Sequence, residues 1–203
     1  MEVYFTIEKT AKAEFKDKGS KFLAYAWPVK TVDQVKECLQ EVKKEHPKAT
    51  HHCFAYRLGT DGLQFRASDD GEPSGTAGKP ILGQIDSKQL TDTLVVVVRY
   101  FGGTLLGAPG LINAYKMSTA MVLQLIPAVQ KNVEVKYDLS FDYTILNDVM
   151  MVVKQQNCTI YSQELQLFCS MNIGVPKAIQ ELALLKLKDI HGLEIRPVST
   201  ARV

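Results

Sequence analysis

The sequence predicts an α+β protein in two parts: an α+β domain over residues 1–130 and a smaller ferredoxin-like βαββαβ domain over residues 131–203. Three observations predict it. A helical apolar stretch stops at Pro127, and the alternating pattern of Val133–Tyr143 begins beyond it. The segment that follows reads strand, helix, strand, strand, helix, strand within roughly 70 residues, a plausible size for one small domain. The first part mixes alternating runs with helical periods around Leu94–Arg99, an apolar run that does not alternate and therefore reads as a buried central strand.

In chain order, Val3–Glu8, Ala11–Lys16 and Lys21–Val29 alternate or cluster β-branched and aromatic residues and read as strands, with a turn at Asp17–Ser20. Thr31 offers an N-cap with Gln34 three residues on, a capping box. Val32, Val35, Leu39 and Val42 then recur at helical spacing as far as His46 and Pro47. His52–Leu58 and Leu63–Ala67 form a hairpin around Gly59–Gly62. Ser74 or Thr76 caps a helix over Ala77–Ile85, whose regular part Pro80 confines. Leu111–Leu125 is apolar nearly all round, which places a helix inside the domain rather than on it. In the second part, Val133–Tyr143 is a strand, Thr144–Gln156 a helix, and Cys158–Gln163 with Glu164–Ile173 a hairpin. Pro176–His191 is a helix with proline in its first turn and Gly192 after its end, and Leu193–Val198 is the closing strand.

Composition narrows the function classes. A content of 46% hydrophobic residues in 203 is enough to bury a real core. Met1–Gln130 holds 16 basic and 14 acidic residues and the remainder 8 and 8, so neither part has the basic excess usual in nucleic-acid binders. Cys38, Cys53, Cys158 and Cys169 have neither CxxC nor metal-type spacing and read as reduced, mostly buried thiols. The charged start at Met1–Phe15 is unlike a signal peptide and no run of about 18 apolar residues occurs, so a cytoplasmic location and no membrane contact are expected.

Two dense motifs carry the chemistry, DDGEPSGTAGKPIL at Asp69–Leu82 and VVVVRYFGGTLLGAPGLINAY at Val95–Tyr115. Asp69, Asp70 and Glu72, with His51 and His52 upstream, have the residue types of an acid-base or hard-metal site. Neighbouring histidines on a strand point to opposite faces, however, and do not share one ion, so no metal is assigned. The bend from Gly102 to Gly110, between a buried strand and a helix N-terminus, has the layout of a phosphate cradle but lacks the GK[ST] ending of a P-loop. Its glycines equally allow close backbone approach. Arg99 is the cation suited to an anion there, with an ion pair to Asp69 or Asp70 as its scaffold use. The candidate functional surface comprises His51, His52, Asp69, Asp70, Glu72, Ser74, Thr76, Arg99, Tyr100, Gly102 and Gly103.

Gly19–Val29, Ala49–Leu58, Asp69–Leu82 and Val95–Tyr115 form four ordered blocks that resemble the signature segments of the IMPACT family in its bacterial, YigZ-like two-domain form. The resemblance implies a ribosomal-protein-like N-terminal α+β domain, also like one in translocation elongation factor, followed by a ferredoxin-like domain like that factor's last. It implies a link to translation, since eukaryotic members regulate initiation by competing for the activator of the amino-acid-starvation kinase. Pro109 and Gly110 stand where the pattern has a glycine pair, and Asn113 where it has a basic residue, both at the bend considered for an anion.

The resulting expectation is a translation-associated binding or regulatory protein, not an enzyme, that presents the N-terminal motif face to RNA, the ribosome or a translation-control protein and needs no cofactor. One alternative is a metal-assisted hydrolase or phosphoryl-transfer enzyme, which requires His51 or His52 beside Asp69, Asp70 or Glu72 in a pocket with Arg99. The other is a protein-interaction adaptor without RNA contact. In the second part, Phe141, Tyr143, Tyr161 and Phe168 do not form a base-stacking motif, and core packing is expected of at least two of them.

Overall fold

The computed structural model describes residues 2–198. Met1 and residues 199–203, the ends of the two expected domains, lie outside the described residues. The chain forms two compact units, Val3–Lys131 and, with Glu2, residues 132–198.

In the first unit, strands β1 (Val3–Thr6), β2 (Ala11–Asp17) and β3 (Ser20–Pro28) lead into helix α1 (Val32–Glu45). Strands β4 (His51–Leu58) and β5 (Gln64–Ser68), helix α2 (Gly78–Ser87), strand β6 (Thr93–Tyr100), helix α3 (Gly107–Gln124) and strand β7 (Val129–Asn132) follow. β2-β3-β6-β4-β5 make an antiparallel five-stranded sheet, and β1 pairs with β7 in a separate two-stranded ribbon. The β2–β3 turn is tight because Lys18 and Gly19 both take positive φ, 43° and 80°. The capping box at α1 is made, with the Gln34 N–H donating to Thr31 Oγ1 at 3.2 Å. Its return bond comes from Lys30 N–H to Gln34 Oε1 at 2.7 Å, one residue before the cap.

β6 is central and buried from Thr93 to Arg99, as its unbroken apolar run predicts. Val95 and Val97 pack with Ile81, Ile85, Leu111 and Tyr115 of α2 and α3, while Leu94, Val96 and Val98 pack with Val35 and Val42 of α1. Helices therefore cover both faces, and the sheet's two residue parities become two separate cores.

Two expectations fail here. α3 is buried along only one face, through Leu111, Ala114, Tyr115, Ser118, Thr119, Val122 and Leu123. Ile112, Met117, Met121 and Leu125 are exposed on its other side, because composition alone does not reveal which part of an apolar helix meets the sheet. Neither Ser74 nor Thr76 caps α2. The Asp69 carboxylate does so from nine residues before Gly78, accepting from Ala77 N–H at 3.0 Å and Gly78 N–H at 2.8 Å.

In the second unit, β8 (Glu134–Asp142), α4 (Leu146–Gln155), β9 (Thr159–Glu164), β10 (Phe168–Pro176), α5 (Gln180–Lys188) and β11 (Glu194–Pro197) give the ferredoxin-like order, with the antiparallel sheet β11-β8-β10-β9. Leu139, Phe141, Met171 and Ile173 of the sheet meet Val149, Val153, Ala183 and Leu187 of α4 and α5. Pro176 ends β10 instead of opening α5, whose regular part begins after a single 3-10 turn at Lys177–Ile179. Core packing was expected of at least two of the four aromatics, but only Phe141 is buried, whereas Tyr143, Tyr161 and Phe168 are exposed.

Candidate functional site

Strand register assembles the site. Arg99 on β6 lies opposite both Phe22 on β3 and His51 on β4, so all three share the face covered by α2 and α3. His52 takes the opposite parity, and its Nε2 donates on the α1 side to the His46 carbonyl oxygen at 3.1 Å. Only a donor satisfies that oxygen, so His52 Nε2 carries the proton. The two histidines are thus separated by the sheet, as strand alternation requires.

The Asp69–Gly78 loop then closes over this face. Asp69 accepts from the N–H groups of Gly75, Ala77 and Gly78 at 2.9, 3.0 and 2.8 Å. Burial opposes ionisation of Asp69, but these three amides outweigh it and hold the carboxyl below its usual range. Asp70, at φ 44°, and Gly71, at φ 88°, turn the chain back toward β4. There Asp70 Oδ2 accepts the His52 backbone N–H at 2.7 Å, and the Asp70 carbonyl oxygen lies 2.7 Å from His51 Nδ1. Thr76 Oγ1 donates to the Pro73 carbonyl at 2.6 Å, and Ser74 is exposed.

This folding inserts Glu72 beneath the loop. Its Oε1 accepts from Arg99 Nη1 at 2.6 Å and from the Tyr115 hydroxyl at 2.7 Å, with 3% of the Glu72 side chain and 6% of the Arg99 side chain exposed. The partner of Arg99 is therefore Glu72 rather than Asp69 or Asp70. Asp69 is engaged by backbone amides and Asp70 by β4, leaving Glu72 as the carboxylate that reaches the guanidinium. Arg99 also lies between the rings of Phe22 and Phe101, 5.6 and 5.7 Å from their centroids, with Nη2 3.4 Å from Ser20 Oγ. Its Nε is buried without a hydrogen-bond partner among the described residues.

Cys53 sits behind this pair, its single S–H shared between the Asp69 carbonyl, 2.9 Å from Sγ, and the Tyr115 hydroxyl, at 3.3 Å. Burial, with the nearby carboxylates, pushes its thiol up to about 12, so it remains protonated and is no nucleophile near neutral pH. Burial likewise pushes the Tyr115 hydroxyl up and keeps it a donor to Glu72.

The glycine bend is structural at its first residue. A Cβ on Gly102 would lie 1.9 Å from the Gly19 backbone carbon, and the Gly102 N–H donates to Ser20 Oγ at 3.2 Å instead of facing an anion. Gly103, at φ 85°, borders open space. Tyr100 lies on the α1 face, its hydroxyl 2.9 Å from His46 Nδ1.

An open cleft of about 330 Å³ lies above the Glu72–Arg99 pair. Pro73, Phe101, Leu105, Leu106 and Leu111 give it apolar walls, while Thr50, His51, Glu72 and Arg99 supply its polar groups. Among the described residues, no three His, Cys, Asp or Glu side chains are arranged to hold a metal ion. Of the residues singled out in the sequence, His51, Glu72 and Arg99 line the cleft, with Asp70 tethering His51. Asp69, Thr76 and Gly102 hold the surrounding backbone, whereas His52 and Tyr100 face α1. Sequence reasoning missed Tyr115 and the leucines of the cleft wall. Their only signal was a hydroxyl-bearing aromatic within an apolar helix and a leucine pair in a glycine-rich bend.

The face of the C-terminal sheet away from α4 and α5 carries polar contacts around exposed Phe168 at its edge. Asn172 donates to Asp138 at 2.6 Å, Tyr161 donates to Glu134 at 2.7 Å, and Lys136 stands 4.3 Å over the Tyr161 ring. Among the described residues, no helix is long and apolar enough to cross a membrane.

The blocks that build the cleft fall inside residues 18–123, which match the Impact N-terminal domain. IMPACT family member YvyE of Bacillus subtilis (strain 168) is 41% identical over 146 residues, 72% of this chain and 67% of that protein. IMPACT family member YigZ of Escherichia coli (strain K12) is 35% identical over 163 residues, 79% of this chain and 80% of that one. A crystal structure described as that of a hypothetical protein superposes with a TM-score of 0.74 at 31% identity, covering 99% of this chain and 100% of its own. The domain match, the two relatives and a shared architecture over nearly the full length agree, and the chain belongs to the IMPACT family.

Proposed function

We propose that this protein is a translation-associated regulator whose N-terminal unit engages a translation-control protein through the cleft above Glu72 and Arg99. The link to translation comes from membership of the IMPACT family. The choice of a protein partner rests on one observation, the pairing of apolar walls with a cation that is already neutralised. RNA affinity depends on uncompensated Lys and Arg placed along phosphates. Among the described residues lining the cleft, Arg99 is the sole lysine or arginine, and Glu72 holds it. Exposed Leu105, at 85%, and half-exposed Phe101 instead offer the apolar contact on which protein partners pack.

Sedimentation of cell extracts through sucrose gradients tests this reading. The protein is expected to co-migrate with translation-factor or ribosomal fractions, to do so after nuclease treatment and across a salt series, and to lose the association in Leu105→Asp. Association that disappears with nuclease and falls steeply with salt would identify RNA as the partner. Absence of co-migration at low salt would reject the link to translation.

A further inference from the structure

The floor of the cleft presents two hydrogen-bond acceptors to the same point. His51 Nδ1 lies 2.7 Å from the Asp70 carbonyl oxygen, which only accepts, so Nδ1 carries a proton and, in the neutral form of the ring, Nε2 presents a lone pair. Nε2 stands 4.0 Å from Glu72 Oε2. Both hydrogen bonds to the Glu72 side chain, from Arg99 and Tyr115, end on Oε1, and Oε2 accepts none among the described residues. Two acceptors at this separation do not bond to each other. One donor atom with ordinary bonds of about 2.8–2.9 Å reaches both.

The acceptor pair is held rigidly. Gly71 lies against the His51 ring, where a Cβ would come within 3.3 Å of Nδ1, while Arg99 and Tyr115 fix the Glu72 carboxylate from behind. The geometry points to a binding site for a primary amine carried on an apolar body. A hydroxyl has one hydrogen and leaves one acceptor unmatched. A carboxylate has none to offer and would face Glu72. A primary ammonium supplies a hydrogen to each acceptor, its charge faces the carboxylate, and its apolar body packs on Phe101, Leu105 and Leu111. This inference rests on the cleft's being a binding site and adds the chemistry of what enters it: a protein partner presenting an amino group next to an aliphatic side chain.

The test uses the full chain, labelled with ¹⁵N and titrated at matched ionic strength with 3-methylbutylamine, 3-methylbutanol and 3-methylbutanoate, three probes with one apolar body. The amine is expected to shift the amides of Gly71, Glu72, Arg99 and Leu105 and to bind about tenfold more tightly than the alcohol, with the carboxylate weakest. In His51→Phe, which keeps a ring against Gly71 and removes one acceptor, the amine should bind several-fold more weakly, with Glu72 alone left to accept from it, while the alcohol changes less. Equal binding of amine and alcohol, or amine binding indifferent to His51→Phe, overturns the amine assignment and leaves the apolar cleft standing. Absence of shifts in the cleft with all three probes overturns it as well, whereas the translation link stands or falls on the sedimentation result.

Discussion

Glu72 and Arg99 show how much one buried pair organises. Each is almost fully removed from water, so the pair is tolerated only because Tyr115 and Ser20 add hydrogen bonds around it. Removing one partner leaves the other charge unmatched. Glu72→Ala is therefore expected to destabilise the protein by about 3–5 kcal/mol in urea unfolding. The double variant with Arg99→Met should cost less than that single change, since no buried cation remains, and a larger loss in the double variant would contradict the account. Cys53 makes a second expectation at this scale. With its thiol pushed up to about 12, it should alkylate more slowly at mildly alkaline pH than partly buried Cys38, whose thiol burial also raises, as peptide mass spectrometry of the native protein would show. Because the folded value exceeds the ordinary 9.0, the stabilisation from this thiol is complete below pH 9.0 and is lost as pH rises toward about 12.

At the scale of elements, what was legible in the sequence was local. Thr31 and Gln34 lie three residues apart and cap α1 as read, and the valine run of β6 needs no distant information to be recognised as buried on both faces. Asp69 was legible as a residue but not as the cap of α2, because its role depends on a loop that folds back across several residues. The outward face of α3 and the partner of Arg99, 27 residues away in sequence, were equally hidden, since both are set by tertiary packing. Asp69→Ala should cost about 1–3 kcal/mol, the loss of a helix cap together with amides left unpaired. Its acid dependence has a definite sign. The folded carboxyl titrates below the ordinary 3.8, so its contribution is complete above pH 3.8 and vanishes as pH falls through the depressed value. In urea unfolding across a pH series, the gap between the wild type and Asp69→Asn should be level near neutrality and narrow in acid. Gly102→Ala should be worse tolerated than Gly103→Ala. The first drives a Cβ into the Gly19 backbone at 1.9 Å, whereas the second meets open space and bears only the strain of φ 85°.

For the whole molecule, the question is whether the cleft depends on the second unit for its fold. The two cores of the first unit draw their buried side chains from Ile7 to Ile126, and the five strands of its sheet pair only among themselves. The β1–β7 ribbon ends at Asn132, and the Val133 N–H donates to the Glu2 carbonyl at 2.8 Å. A chain of residues 1–133 retains all of these groups, including Glu72, Arg99, Tyr115 and the cleft walls. It is expected to unfold in one cooperative transition, with dispersed amide signals and with its Tm within about 4 °C of the corresponding transition in the full chain, a shift that answers to roughly 1 kcal/mol for a domain near this size. A non-cooperative melt or collapsed amide dispersion would show that the first unit requires the second. If the fragment folds, amine binding measured in it and in the full chain should agree, because each acceptor in the cleft floor and each residue that fixes it lies before Lys116.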